Sequence, residues 1–544
     1  MRTLLFVLLA NVAFAQQPIL YYRGIVNAAS FAPFGLPNAS IARGSVLTVF
    51  GEHLGPTQSP ALAFPLSSTL GGVSLSVTQK GSITQLFPIY VSPSQVNAIM
   101  PSTVTPGLAT LRLVYQNFKS NAITIVIGSS APGIFAVSNG GYGPGVIDNY
   151  VSAAVQPVNS LVMPVARGTI VTIWGTGLGP VTFPDNVAPT AGNVSTPVSV
   201  SIGGQTAAVQ YSGRSPCCAG VDQIVVRVPD DAPLGCWVPV SVNAGGVVSN
   251  TVTMAIAAAD AATCSDPGNP VSAIVRGSGP QAVVEIERVD SVDNLNTPTP
   301  ILRTLDSVYS RFYTRPGSQF SFDPYLSYPP AGTCLVHQTS GDASFGKSLR
   351  GVLPDSASLS PQPMQTYNNG TQSMIYNTYH PFFFATVGGV VDSNSFAMNL
   401  LGAKGSYTID PGGPNNMVVS FNAVPAPVWQ RNGILIVPRN ALLTLTFTPG
   451  DSASPTAIVI YAYAASTNST TEVECMAAAG ANTFTVSADS LANLPATYQI
   501  YDSSYASLSV GTVGFSQAVP FSNGLAANGI LLNSNWLSQS VVLQ

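Results

Sequence analysis

Carboxylates, histidines and tyrosines are the side chains in this sequence whose spacing suggests chemistry. The densest acidic cluster is Glu285, Glu287, Asp290 and Asp293, within QAVVEIERVDSVD. On a strand, Glu285 and Glu287 would share one face. A glycosidase needs two carboxylates on either side of a sugar, and nothing in the sequence places a partner across a cleft from this pair. The cluster therefore reads as a solvated strand edge or turn. It also lacks the Asp-x-Asp-x-Asp-Gly order of a compact calcium loop, so calcium on a carbonyl-rich loop is the one metal left open. No other cofactor is expected. Serine hydrolysis has no Gly-x-Ser-x-Gly to rest on, and His53, His337 and His380 lie far apart without motif context. His380, in YNTYHPFFF, reads as a packed or turn histidine. Tyr367, Tyr376 and Tyr379 sit in an Asn/Gln-rich stretch, QTYNNGTQSMIYNTYH, and form a candidate glycan platform. A tyrosine offers a flat apolar face with a polar handle. Trp174 and Trp237 read as core residues of strands.

The elements that carry these residues must be built with little charge. Only 8% of the 544 residues are charged, 46% are hydrophobic, and there are 49 Gly and 44 Pro. The apolar residues fall in short runs among Ser, Thr, Asn and Gly, which suits many short strands and turns. The five basic residues of 21–130 (Arg23, Arg43, Lys80, Arg112, Lys119) are dispersed, a poor surface for tracking phosphates. Nucleic acid is not an expected partner.

The N-terminus, MRTLLFVLLANVAFAQ, combines Arg2, an apolar stretch from Leu4 to Phe14 and Ala13-Phe14-Ala15. This is the pattern of a secretory signal peptide (1–15) cleaved after Ala15. The apolar stretch is too short to span a bilayer, and no second one of about 20 residues follows. Export makes six cysteines readable as disulfides. Cys334 and Cys475 pair by elimination. Cys217, Cys218, Cys236 and Cys264 allow three connectivities. A bond between the adjacent Cys217 and Cys218 is the least favoured, so each is expected to bond to Cys236 or Cys264. Each bond is worth about 2–4 kcal/mol.

The chain repeats itself. ARGSVLTVFGEHLGP at 42–56 matches ARGTIVTIWGTGLGP at 166–180, an offset of 124. Pro101 and Gly107 match Pro229 and Gly235 at 128, and SNAITIVI at 120–127 matches SNTVTMAI at 249–256 at 129. Four landmarks in order define two copies of one domain. The glycine-rich loop after the first strand is not a phosphate cradle. Glu52-His53 replaces Thr176-Gly177, and no amphipathic helix follows. Only Gly51/Gly175 and Gly55/Gly179 recur, as expected of a turn needing positive φ. Alternation in VSLSV and VSVSI predicts an all-β, immunoglobulin-like sandwich for each copy.

These residues carry a resemblance. GSVLTVFGEHLGP and GTIVTIWGTGLGP resemble the opening strand and turn of IPT/TIG immunoglobulin-like domains. VNAASF (26–31), YVSPSQVNAIMP (90–101), SAPGIF (130–135) and CCAGVDQIVVRVP with GCWVPVSV (217–242) resemble a repeated domain of uncharacterised secreted proteins of soil bacteria. The resemblance covers 24–264, and copy two departs from it where CCAGVDQIV replaces VSPSQVN. GTCLVH, PVWQRNGILIVPRNALLTLTFTPG and VECMAAAGANTFTVSADSLANLPAT more loosely resemble the C-terminal β domain that accompanies those repeats. The resemblance implies a fold and an extracellular location, and no catalytic residues.

The expected organisation is a sandwich over 22–129, a second over 130–257, a linker over 258–275, and a β-rich region of one or two domains over 276–544. The function these features favour is a non-catalytic secreted or cell-surface modular protein for adhesion, spacing, or binding an extracellular glycan or protein. The alternative is a polysaccharide-active enzyme with its catalytic module in 276–544. A cleft lined by two carboxylates and aromatics would select the enzyme.

Overall fold

The computed structural model describes residues 16–269, 271–293, 301–315, 317–324, 326–340, 424–431, 433–497, 504–519 and 528–544, with short strands between 366 and 421. The segment 1–15 read as a signal peptide, Tyr379 and His380 lie outside the described residues. The chain is all-β, and its first two units are immunoglobulin-like sandwiches.

The repeat seen in the sequence recurs in the topology. In copy one, Val46–Glu52 pairs antiparallel with Gln95–Ile99, and Ile41–Ala42 runs parallel to Ile123–Gly128. In copy two, Ile170–Thr176 pairs with Asp222–Arg227, and Val165–Ala166 runs parallel to Val252–Ala257. Alternation decides which face each strand buries. In Val73–Gln79 the side chains of Val73, Leu75 and Val77 are buried, while Ser74 and Ser76 are partly exposed. Each copy has its own apolar core, with Leu47, Leu75 and Leu111 in the first and Ile173, Ile202 and Val240 in the second.

The recurring glycines serve a purpose other than the expected one. Neither Gly51 nor Gly175 has positive φ. A Cβ at Gly51 would lie 2.1 Å from the Ile19 carbonyl oxygen, and one at Gly175 would lie 2.4 Å from that of Gly133. Close strand approach demands glycine there. The left-handed residue of the turn is the non-recurring one, His53 at φ 56° and Gly177 at 94°. Gly179 is also left-handed, at 138°, but Gly55 is not.

The third unit is built on an 11-stranded sheet. From its edge it runs Thr333–Ser340, Ser469–Ala477, Thr456–Ala464, Tyr505–Val519, Asn528–Leu543, Gly279–Asp293 and Ile301–Arg315. A small ribbon, Leu443–Thr446 with Thr483–Val486, covers one face and closes a core containing Ile460, Val473, Leu508 and Phe484. Among the described residues no helix is long and apolar enough to cross a membrane.

The three units are docked. The stretch read as a linker is tied down, with Cys264, Val271 and Val275 buried beside Trp237, Phe322 and Leu335. Trp237 is thus a junction residue, its Nε1 donating to the Ser321 carbonyl at 3.1 Å. Trp174 is only half-buried, and donates to Asp148 at 2.7 Å.

Cys334 bonds to Cys475, and Cys236 to Cys264. Cys217 bonds to its neighbour Cys218, which corrects the expectation that each would reach Cys236 or Cys264. The reason is placement. Cys236 and Cys264 are buried in the cluster around Trp237. Cys217 and Cys218 are exposed on a loop whose next residues, Ala219 and Gly220, press against Val46 and Ile99 of copy one.

Candidate functional site

The sheet of the third unit has two unlike faces. Directly paired residues in a sheet share a face. The covered face carries the row Val336, Val473, Ile460, Leu508. The opposite face carries two polar rows. One runs His337, Glu472, Tyr461, Ser507, Ser540, and the other Thr339, Thr470, Tyr463, Tyr505. Period two along Thr456–Ala464 places Tyr461 and Tyr463 on this face, and Tyr505 enters from the neighbouring strand.

The three tyrosines form one aromatic group. The ring centroid of Tyr505 lies 5.9 Å from Tyr461 and 5.6 Å from Tyr463, at interplanar angles of 30° and 41°. Tyr505 is 55% exposed, and its partners are partly exposed. The Tyr463 hydroxyl donates to Asn468 Oδ1 at 3.3 Å, which fixes that ring over the hairpin. The hydroxyls of Thr339 and Thr470 bond to each other at the row's end.

Burial sets the protonation of the row that begins at His337. It pushes the Glu472 carboxyl above its ordinary range, and it holds the His337 imidazole down at about 4, so the ring is neutral near pH 7. His337 packs edge-on to Tyr142 of copy two (6.1 Å, 84°) and tilted against Phe322 (6.0 Å, 48°). Burial also raises the Tyr461 phenol, with smaller contributions from its bond to Tyr505 and from Glu472. The Tyr461 phenol therefore stays protonated, able both to donate and to accept. Among the described residues no group of three His, Cys, Asp or Glu is placed to hold a metal.

The residues singled out from sequence are arranged differently. Glu285 and Glu287 lie on Gly279–Asp293, deep in the order of the sheet between Asn528–Leu543 and Ile301–Arg315, rather than on an edge. Tyr367 and Tyr376 fall in two short neighbouring strands, Thr366–Asn368 and Ser373–Tyr376, at the far end of the same sheet. The structure does not bring them to the trio described above. A signal for that trio was present in AIVIYAYAAS, where tyrosines two apart must share a face; the partner strand bearing Tyr505 was not readable.

No protein-family model matches this chain, and no curated protein does. Solved structures give weak likenesses. One is the Bacteroides ovatus mixed-linkage glucan utilization locus protein SGBP-B in complex with a mixed-linkage heptasaccharide, at 14% identity and TM-score 0.21, covering 51% of this chain and 66% of that one. A tetra-tandem repeat from the extending region of a large adhesion protein covers 92% and 98%, at 11% identity and TM-score 0.14. The plexin A4 extracellular region gives 16% identity and TM-score 0.16 over 45% of this chain, which spans only 18% of that protein's length. At these values the function of this chain has to be read from its own surfaces.

Proposed function

We propose that this chain is an exported, non-catalytic surface protein that binds glycan on the polar face of its third unit, with the two sandwiches as a rigid mount. The observation that carries this reading is the half-exposed trio Tyr461, Tyr463 and Tyr505, at 5.6–5.9 Å spacing on a sheet. Pyranose rings present apolar C–H faces that stack on such rings, and the phenols and Glu472 supply hydrogen bonds at the margin. The carboxylates argue against hydrolysis. Glu472, partly buried, and Glu474, buried, lie two residues apart on one strand, whereas a glycosidase sets its pair on opposite sides of the bond.

The test is a glycan and polysaccharide panel against residues 16–544, with release of reducing ends followed alongside. Binding without release, lost in Tyr505→Ala, is the expected result. Release of sugar would overturn the non-catalytic reading.

A further inference from the structure

Copy one contributes a second surface next to this face. Its strand Ile19–Asn27 loses register against Val46–Glu52 between Leu20 and Ile25, and Arg23 takes φ 65° in the bulge. The bulge leaves Tyr22 63% exposed, with the Arg23 guanidinium carbon 4.8 Å from its ring centroid. Arg23 Nη2 reaches across to donate to the carbonyl of Ser466. Beside the bulge is a groove of about 310 Å³ lined by Tyr22, Arg23, Phe34, Leu108, Ile123 and Val126. Leu108 is 71% and Val126 46% exposed, an unusual cost for residues of a sandwich strand unless something covers them.

The groove and the tyrosine trio are joined by a short chain of contacts. Ser466 sits in the hairpin that follows Tyr463, the neighbouring Ala465 N–H donates to Ser504 Oγ at 2.9 Å, and Tyr505 comes next. We infer that groove and trio are two subsites of one track for a linear, neutral polysaccharide, spanning copy one and the third unit. The inference rests on the glycan reading above. Several features favour this occupant. The groove is of the size that takes a small ligand or a short stretch of a longer one. Its walls are apolar, suited to pyranose faces, with Tyr22 presenting a ring as Tyr505 does. Among the described residues that line the groove and form the trio, the one charged side chain is Arg23, and a single cation makes too little field to select a polyanion. A linear chain is the ligand that can cross from one unit to the other at the Arg23–Ser466 contact.

Two weak subsites on one ligand make affinity depend on chain length. The experiment is calorimetry of the 16–544 chain with size ladders, from disaccharide to decasaccharide, of β-1,4-glucan, β-1,4-xylan and α-1,4-glucan. Wild type is compared with Tyr505→Ala and with the groove variant Tyr22→Ala/Leu108→Ser. Both sets of positions are exposed, and circular dichroism checks that the variants fold. The expected result is affinity that rises with length and then levels. The groove variant should lose about tenfold on the long oligomers and nothing on the short ones. Length-independent binding, or long oligomers bound equally by the groove variant, overturns the track and leaves the tyrosine site standing. Loss of short-oligomer binding in the groove variant alone moves the site to copy one and overturns both. No binding from any ladder overturns the glycan reading and the track with it.

Discussion

Asn38 and Gln338, three hundred residues apart in sequence, exchange two amide hydrogen bonds: Asn38 Nδ2 to Gln338 Oε1 at 2.9 Å, and Gln338 Nε2 to Asn38 Oδ1 at 3.2 Å. Gln338 also donates to the Asn493 carbonyl at 3.4 Å, and Asn493 Nδ2 donates to the Ser249 carbonyl at 2.9 Å. Copy one, the third unit and copy two are thereby linked in series. Asn38→Ala strands the Gln338 amide, and a loss of about 1–3 kcal/mol is expected in chemical denaturation. Small-angle scattering should show one compact particle for wild type. An extended string of beads would contradict the docking.

Arg214 and Asp222 form a buried ion pair, with side chains 6% and 0% exposed. Arg214 also donates to the carbonyl of Gly44, so the pair clamps copy two to copy one. Burial pushes the Asp222 carboxyl up, and Arg214 and the Leu178 N–H pull it back. Arg214→Met leaves Asp222 uncompensated and is expected to cost about 3–5 kcal/mol. Replacing both residues with apolar ones should cost less than that single change. A double variant less stable than Arg214→Met would refute this account.

His337 makes stability depend on acid. Its folded pKa of about 4 lies below the ordinary 6.5, so the unfolded chain takes up the proton first. The stability from neutral, buried His337 is complete above about pH 6.5. It declines as pH falls toward 4, by up to about 1.4 kcal/mol per unit. His337→Phe, which keeps a ring against Tyr142 and Phe322, should flatten the stability profile between pH 4 and 6.5. An unchanged slope would show that the ring is solvated.

Glu472, directly opposite His337 in register, acts with the opposite sign. Its folded pKa is raised by burial, so the folded chain holds the proton longer. Its favourable contribution is present below the unfolded pKa and is lost as pH rises through the folded value. Glu472→Gln is expected to stabilise the protein at pH 7 and to change little at pH 4. Thermal melts at the two pH values measure this.

Gly51 and Gly175 are constrained by neighbouring carbonyls rather than by φ. Gly51→Ala should destabilise copy one by about 1–3 kcal/mol, because strand Ile19–Asn27 must shift. His53→Gly, at a left-handed position, should be neutral or slightly stabilising. Denaturation of the two variants side by side separates close approach from turn strain.

Local pattern carried the architecture. Strand alternation, the offsets from 124 to 129 and the turn residues were enough for an all-β chain with two equivalent sandwiches, since each of these is a property of neighbouring residues and of repetition. The pairing of Cys334 with Cys475 followed from counting. Everything that depends on which surfaces meet lay beyond the sequence. Cys217 and Cys218 bond to each other because their loop presses on copy one, far from the buried Cys236 and Cys264. The segment 258–275 has linker composition, yet it packs because Trp237 and Phe322 leave a cluster for Val271 and Val275 to complete. Tyr461 and Tyr463 announce a shared face by their spacing, but only strand order brings Tyr505 beside them from more than forty residues away. Periodicity is a one-dimensional signal; the choice of neighbours across a sheet or junction is made by the free energy of burying whole surfaces, which no short stretch of sequence contains.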